Sequence, residues 1–241
     1  MLNNVPFPLE SRILYRDSSC IAVNKLKGEA SEGASGSIID LGRELNSLLG
    51  TERGFPQAVN RLDVPVTGCA LFALTKPALS FLNLTFKEKS GKLVKRLYFA
   101  IIEKPPAALP GYFNNGSAEL THWIDTDLKK NKSIAYNIEA PGRKKSSLRC
   151  RIIGEGKNYL FMTVELLSGR HHQIRAQLAA IGLHVKGDLK YGAKRSERDG
   201  GIRLHARSLI FPSPLNESEN IFVTADPPQM DTLWEAFLSS L

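Results

Sequence analysis

Cysteine is scarce in this chain and poorly placed for bridging. The three present, Cys20, Cys69 and Cys150, are an odd number set far apart. That argues against a disulfide framework, and no C-x-x-C pair offers a metal clamp. Cys69 sits in an apolar run, where a thiol packs as a small hydrophobe. Long hydrophobic runs are missing too. None approaches the ~18 residues that a bilayer-spanning helix needs, and the first dozen residues lack the basic-then-apolar order of a secretory signal. No internal repeat, low-complexity tract or clear linker interrupts the sequence. These exclusions lead us to expect a protein of a reducing cytoplasm with no membrane partner.

What is present is ample for a core: hydrophobic residues make up 42% of the 241, so global disorder is excluded. Basic residues outnumber acidic ones, 32 to 24, for a net charge of +8. An excess of that size favours a polyanionic partner if the charges gather on one face.

The stretch Asn60 to Thr75, N-R-L-D-V-P-V-T-G-C-A-L-F-A-L-T, organises the rest. Arg61 and Asp63 form an ionisable pair, a turn follows through Pro65, Thr67 and Gly68, and an apolar run Cys69 to Leu74 reads as a buried strand. A carboxylate at such a junction is held by the sheet yet faces a cleft. Taken alone, an Asp in a loop is more often a turn residue, here paired with Arg61, than a catalytic one.

Around this stretch the pattern predicts strands at Arg12–Tyr15 and Cys20–Asn24, a loop over Lys25–Gly36, and a helix capped by Ser37 that carries Leu41, Leu45, Leu48 and Leu49 to a stop at Gly50. Pro77 opens a second helix to about residue 88, ending in a basic stretch with Lys87, Lys89, Lys92, Lys95 and Arg96. Strands are predicted at Leu97–Glu103, around Ala118–Ile124 and Ser133–Ile138, at Leu148–Ile153, at Tyr159–Leu167 and at Leu204–Phe211. Arg143–Lys145 reads as a basic knot in a loop. Ser168 and Gly169 turn into a helix with Ile174, Leu178 and Ile181 on one face, closed by Gly182. Asp226, Pro227 and Pro228 start a last helix with Leu233, Trp234, Phe237 and Leu238 inward. Strands outnumber helices without alternating regularly with them, so the predicted class is α+β: one domain with a mixed, mainly antiparallel sheet flanked by helices and loops.

Five fragments now stand in order: R-L-D-x-x-x-T-G from Arg61, R-L-Y-F-A from Arg96, S-G-R-x-H-Q-I-R from Ser168, G-D-x-x-Y-G from Gly187, and L-H-A from Leu204. Together they resemble the RluA-type pseudouridine synthases, with a likeness running from about Ile13 to Phe211. Each fragment alone is a modest signal; five in register are a strong one. The resemblance implies a single catalytic domain without the S4-type RNA-binding domain, and isomerisation of uridine to pseudouridine in ribosomal or transfer RNA. A stem-loop uridine is the expected target. It also implies no metal and no organic cofactor. A monomer is expected, because no exposed heptad shows.

Carried over by motif, Asp63 is the essential carboxylate. Tyr98 is the aromatic that packs on the target uracil, and Arg175 the basic partner of the carboxylate. Arg61 contacts RNA and helps hold the base out of its stack. Leu204 is an apolar neighbour of the base, and Arg170, His172 and Ile174 complete the substrate-facing set. His172 and His205 read as hydrogen-bonding residues rather than zinc ligands, since no convergent ligand pattern accompanies them. The chain departs from the family pattern at Asn60, where His is common, at Val64, at His171 in place of Thr, at Ala176-Gln177-Leu178, and at Leu26-Lys27 within N-K-P-x-G. None of these removes a charged or aromatic residue assigned to chemistry. The competing reading is an RNA-binding protein on the same fold without turnover.

Overall fold

The computed structural model describes residues 7–34, 36–51, 54–88, 93–106, 108–227 and 231–241. Lys89 and Lys92 of the basic stretch, Pro228, and the first six residues lie outside the described residues. The strands are β1 (Ile13–Arg16), β2 (Cys20–Lys25), β3 (Glu29–Ala30), β4 (Ile39–Asp40), β5 (Gln57–Ala58), β6 (Thr67–Ala73), β7 (Lys95–Glu103), β8 (Ser117–Asp127), β9 (Lys132–Tyr136), β10 (Lys144–Glu155), β11 (Tyr159–Leu166), β12 (His184–Val185), β13 (Leu204–Pro212) and β14 (Asn220–Thr224). The helices are α1 (Leu41–Leu49), α2 (Lys76–Lys87), α3 (Gln173–Ala180) and α4 (Thr232–Leu238).

Among the described residues, twelve strands form one sheet with the order β1-β2-β6-β13-β7-β11-β10-β8-β9, and β5, β12 and β14 attach to β6, β7 and β13. The expected α+β class and the mixed, mostly antiparallel sheet are both present. Successive strand side chains point to opposite faces, and the core divides accordingly. Ile21, Val23, Ala70, Phe72, Tyr98 and Ala100 face one layer with Leu41 and Leu45 of α1 and Ile174 and Leu178 of α3. Cys20, Ala22, Cys69 and Leu71 face the other, against Ala78 and Leu82 of α2. Phe99 and Ile101 meet Trp234 and Phe237 of α4 on that same opposite side. Covering on both faces is why β2, β6 and β7 read as near-continuous apolar runs.

Three sequence expectations need correction. The cap of α1 is Asp40, not Ser37: Ile39 and Asp40 are extended and pair with β3, so the helix starts only at Leu41. The Asp40 carboxylate accepts the Arg43 N–H at 3.1 Å. The last helix is capped by Asp231, whose Oδ1 accepts N–H bonds from Leu233 and Trp234, both at 3.1 Å; Asp226 instead pairs with Arg207. Lys144 and Lys145 lie in β10 opposite Ile124 and Trp123 rather than in a loop. Arg143 stays in the turn, its guanidinium 3.5 Å from the centre of the Tyr136 ring.

Strand β13 joins β6 in parallel through only two pairs, His205 with Thr67 and Ala206 with Gly68. Beyond that point β13 pairs with β14. Gly68 has φ +112°, and a Cβ there would lie 2.2 Å from the Ala206 carbonyl oxygen. Close backbone approach and positive φ both demand glycine here. His205 locks the same joint. Its Nε2–H donates to the Ala225 carbonyl at 2.9 Å, leaving Nδ1 to accept the Thr67 hydroxyl at 2.8 Å. Burial pushes this imidazole down to about 4, so it is neutral. Gly50, by contrast, has φ +61° with open space around it. We therefore expect Gly50→Ala to cost about 1 kcal/mol from backbone strain alone, and Gly68→Ala several times more by urea denaturation. Equal losses would show that the strand crossing tolerates a side chain.

Candidate active site

Asp63 reaches the site from the loop before β6. Asn60 fixes the base of that loop as a strand neighbour would: its Nδ2 donates to the Cys69 carbonyl at 3.0 Å and its Oδ1 accepts the Leu71 N–H at 2.6 Å. The departure from the family's usual His is thus filled by an amide that matches both backbone groups of β6.

A lysine supports the loop from beneath. Lys25, the last residue of β2, is 0% exposed. Its ammonium donates to the carbonyls of Leu26 (2.9 Å), Val64 (3.2 Å) and Val66 (2.6 Å). Three donors meeting three acceptors brace the turn that follows Asp63 against the end of β2. Burial pulls the group down to about 7, opposed by the charges of Glu29 and Asp63 and assisted by Arg12.

Arg175 comes from the first turn of α3. The side chain is 5% exposed and serves two carboxylates at once. Nε and Nη2 grip Asp188 at 2.6 and 2.8 Å, and Nη1 donates to Asp63 Oδ2 at 2.8 Å. Burial disfavours the charge, but hydrogen bonds and attraction from Asp188 and Asp63 outweigh it and raise the guanidinium. Asp188 is 1% exposed and Asp63 20% exposed. Asp188 is therefore the anchor, and Asp63 the member turned toward solvent.

Buried amides hold α3 in place. Gln173 Nε2 donates to the Ser147 carbonyl (3.0 Å) and to Gln177 Oε1 (2.9 Å), and Gln177 Nε2 donates to the carbonyls of Leu120 and Ser146 (both 3.2 Å). This network ties the helix to β8 and β10 and explains why Gln173 to Leu178 are all buried. The expected apolar face of Ile174 and Leu178 is present, but the polar side is internal as well.

His172, the N-cap of α3, has φ +50°, a left-handed conformation that strains a non-glycine residue. Its ring stacks on His171 at 3.8 Å, with Nδ1 3.0 Å from the Tyr191 hydroxyl and Nε2 3.6 Å from Asp63 Oδ2. Burial pushes this imidazole down to about 3, with Arg175, His171 and Lys190 adding to the effect. The Tyr191 oxygen already accepts the Ser133 N–H at 2.8 Å, so its own proton is available to Nδ1. The tautomer that serves both ends carries its proton on Nε2, facing Asp63. The Arg175 guanidinium lies 4.8 Å from the Tyr191 ring centre.

Tyr98, in mid-β7 between Val164 and Ala206, is buried in the same cluster as Leu62, Val66, Ile174 and Leu204. Burial raises its phenol to about 12; Arg96 opposes the shift and Asp63 adds to it, so the ring is neutral. Asp63 and Arg175 thus meet directly, and Tyr98 lies within the field of Asp63. Arg61 and Arg170 are exposed beside them. Sequence reasoning gave no role to Lys25, Asp188 or Tyr191. The latter two stand in the quoted G-D-L-K-Y-G, and Lys25 in the N-K-x-x-G fragment. Among the described residues, no group of three or more His, Cys, Asp or Glu side chains is arranged to hold a metal ion.

This is a mixed-sheet protein with a carboxylate–guanidinium centre at a strand junction. The sequence profile of the RNA pseudouridylate synthase family matches residues 19–180. The chain belongs to that family, in its RluA-type branch. It is 28% identical over 215 residues to "Ribosomal large subunit pseudouridine synthase C" of Vibrio parahaemolyticus, covering 87% of this chain and 64% of that protein. It is 25% identical over 256 residues to "Ribosomal large subunit pseudouridine synthase D" of Zymomonas mobilis, covering 99% of this chain and 76% of that protein. The chain therefore spans less than two thirds of the Vibrio relative. Among solved structures, human RNA Pseudouridylate Synthase Domain Containing 4 shares the fold with a TM-score of 0.69 at 18% identity, covering 96% of this chain and 93% of that one.

The bracing lysine gives a test. An unfolded lysine titrates near 10.5 and Lys25 near 7, so between those values the unfolded chain holds more protons and stability rises with pH. Lys25→Met removes that slope and leaves three carbonyls short of a donor. The stability advantage of the wild type over the variant is expected to widen from pH 7 to pH 10 in urea melts. A constant gap would show that the lysine keeps its ordinary titration.

Proposed function

We propose that this chain isomerises uridine to pseudouridine in RNA, with Asp63 as the catalytic carboxylate. The observation that carries the reading is the division of labour at Arg175. Asp188 takes two of its donors and fixes the guanidinium, and a third donor aims Asp63 Oδ2. Asp63 Oδ1 has no hydrogen-bond partner among the described residues and is the atom available to the sugar or base.

The reaction breaks the N1–C1′ bond, turns the uracil, and forms a C5–C1′ bond. C5 then loses its proton and N1 carries one. Asp63 serves as nucleophile toward the sugar or base, or as the base that removes a sugar proton. Tyr98 walls the flipped uracil beside Leu204 and Ile174, with stacking worth ~1–3 kcal/mol. Arg61, Arg170 and His172 face the RNA around it. The two relatives quoted above are named for the ribosomal large subunit, which makes its RNA the first substrate to test, with transfer RNA second. A cytoplasmic setting suits three buried thiols with no disulfide among them.

Tritium release from RNA labelled at uridine C5 tests the assignment. The wild type is expected to release tritium, and Asp63→Ala to lose at least about a thousandfold of that activity. RNA binding without release by the wild type would instead identify a silent binder. Tyr98 yields a separate expectation. Tyr98→Phe keeps the ring and should stay within about threefold of wild type, whereas Tyr98→Leu should lose roughly ten- to a hundredfold. Equal activity of the two variants would remove the base-packing role.

A further inference from the structure

A groove of about 1030 Å³ lies behind the catalytic loop. Its wall includes Pro65, two residues after Asp63, and Lys186, two residues before Asp188. Backbone bonds knit that wall together: Ile202 N–H donates to the Pro65 carbonyl at 3.2 Å and Arg203 N–H to the Lys186 carbonyl at 2.9 Å. The groove and the Asp63–Arg175 pair are therefore separate places that share the loop 63–67 and the segment 186–188.

The charges in the groove are unbalanced. Its carboxylates already have partners: Glu197 with Lys186 and Arg203, Asp231 with Arg203, Asp199 with Lys27, and Glu103 with the Lys194 backbone N–H. Five further cations line it: Lys104 pairs with Glu155 at 3.1 Å, whereas no carboxylate pairs with the side chains of Lys157, Lys194, Arg195 or Arg198 among the described residues. Three of them rise from one loop between Tyr191 and β13, and Lys157 faces them from the β10–β11 turn. Tyr159 and Trp234 add aromatic surface to the lining. Unneutralised cations around a groove of this volume suit a phosphodiester chain, which presents spaced anions. The groove is also larger than one mononucleotide needs.

We propose that this groove is a second RNA-binding site, which grips the backbone of a substrate strand away from the target nucleotide through Lys157, Lys194, Arg195 and Arg198. The proposal rests on the activity given above.

The test compares two variants that each remove three charges: Lys157→Gln/Lys194→Gln/Arg198→Gln in the groove, and Arg16→Gln/Lys76→Gln/Lys87→Gln on exposed surface elsewhere. The probe is a fluorescein-labelled twenty-nucleotide oligouridine, its affinity followed by anisotropy over a range of salt. Each lost phosphate contact lowers the salt slope by ~0.7 for a single strand. The groove variant is expected to bind at least about tenfold more weakly, with a slope shallower by roughly 2, while the surface variant stays within about twofold of wild type. On RNA from which the wild type releases tritium, the groove variant should raise KM and keep kcat. Unchanged oligonucleotide affinity in the groove variant would overturn the proposal, as would equal weakening of both variants. Uridine monophosphate displacing the probe as effectively as unlabelled oligouridine would overturn it in favour of a mononucleotide pocket. Lack of tritium release by the wild type would remove the activity reading alone, since the oligonucleotide comparison does not depend on turnover.

Discussion

One guanidinium shared between two carboxylates is the constraint on which the site depends. Arg175 is nearly enclosed, and a cation in that position is tolerated only when its donors are met. Asp188 meets two and Asp63 one. The three residues come from α3, from the turn after β12 and from the loop before β6, so the charge cluster ties three segments together. Loss of Asp188 would leave the guanidinium with Asp63 as its one carboxylate partner among the described residues.

The groups around this cluster are kept neutral by burial. His172 and His205 titrate far below the usual histidine range, and the phenols of Tyr98 and Tyr191 far above neutrality. The ionic field in the cleft is therefore set by Asp63, Arg175 and Asp188 together with the surrounding cations Arg61 and Lys190, while Lys25 beneath the loop is pulled down to about 7. In the proposed reaction a flipped uracil, which is uncharged, would meet neutral side chains and one free oxygen of Asp63. That is a setting in which a single negative group acts strongly on a developing positive charge at the sugar.

Much of this was legible in the letters. Alternation marks β10 in Leu148–Ile153, while apolar runs mark β7 in Leu97–Glu103, β11 in Tyr159–Leu167 and β6 after Gly68. Asp63 and Arg175 were readable because their motifs name them. What stayed hidden was set by partners distant in sequence. Ser37 satisfies a local capping rule, but pairing of Ile39 and Asp40 with β3 moves the helix start. Lys25 reads as the start of a polar loop, since nothing local reveals three carbonyls converging on it. Asp188 and Tyr191 lie in a quoted motif, yet their roles exist only once α3 and β9 stand beside them. The five-residue β14 follows a proline-rich turn and is defined by its neighbour β13 more than by its own pattern.

The two-residue joint between β6 and β13 has a consequence for biosynthesis. Thr67 and His205 are 138 positions apart, and Asp63 and Arg175 are 112 apart. Contacts that distant are slow to form, because chain entropy must be given up before they exist. A nascent polypeptide that has emerged only as far as α3 already holds the acid and the guanidinium, but lacks the strand that sits between β6 and β7. The acid–guanidinium pair therefore gains its full strand setting only after β13 has emerged and inserted between β6 and β7.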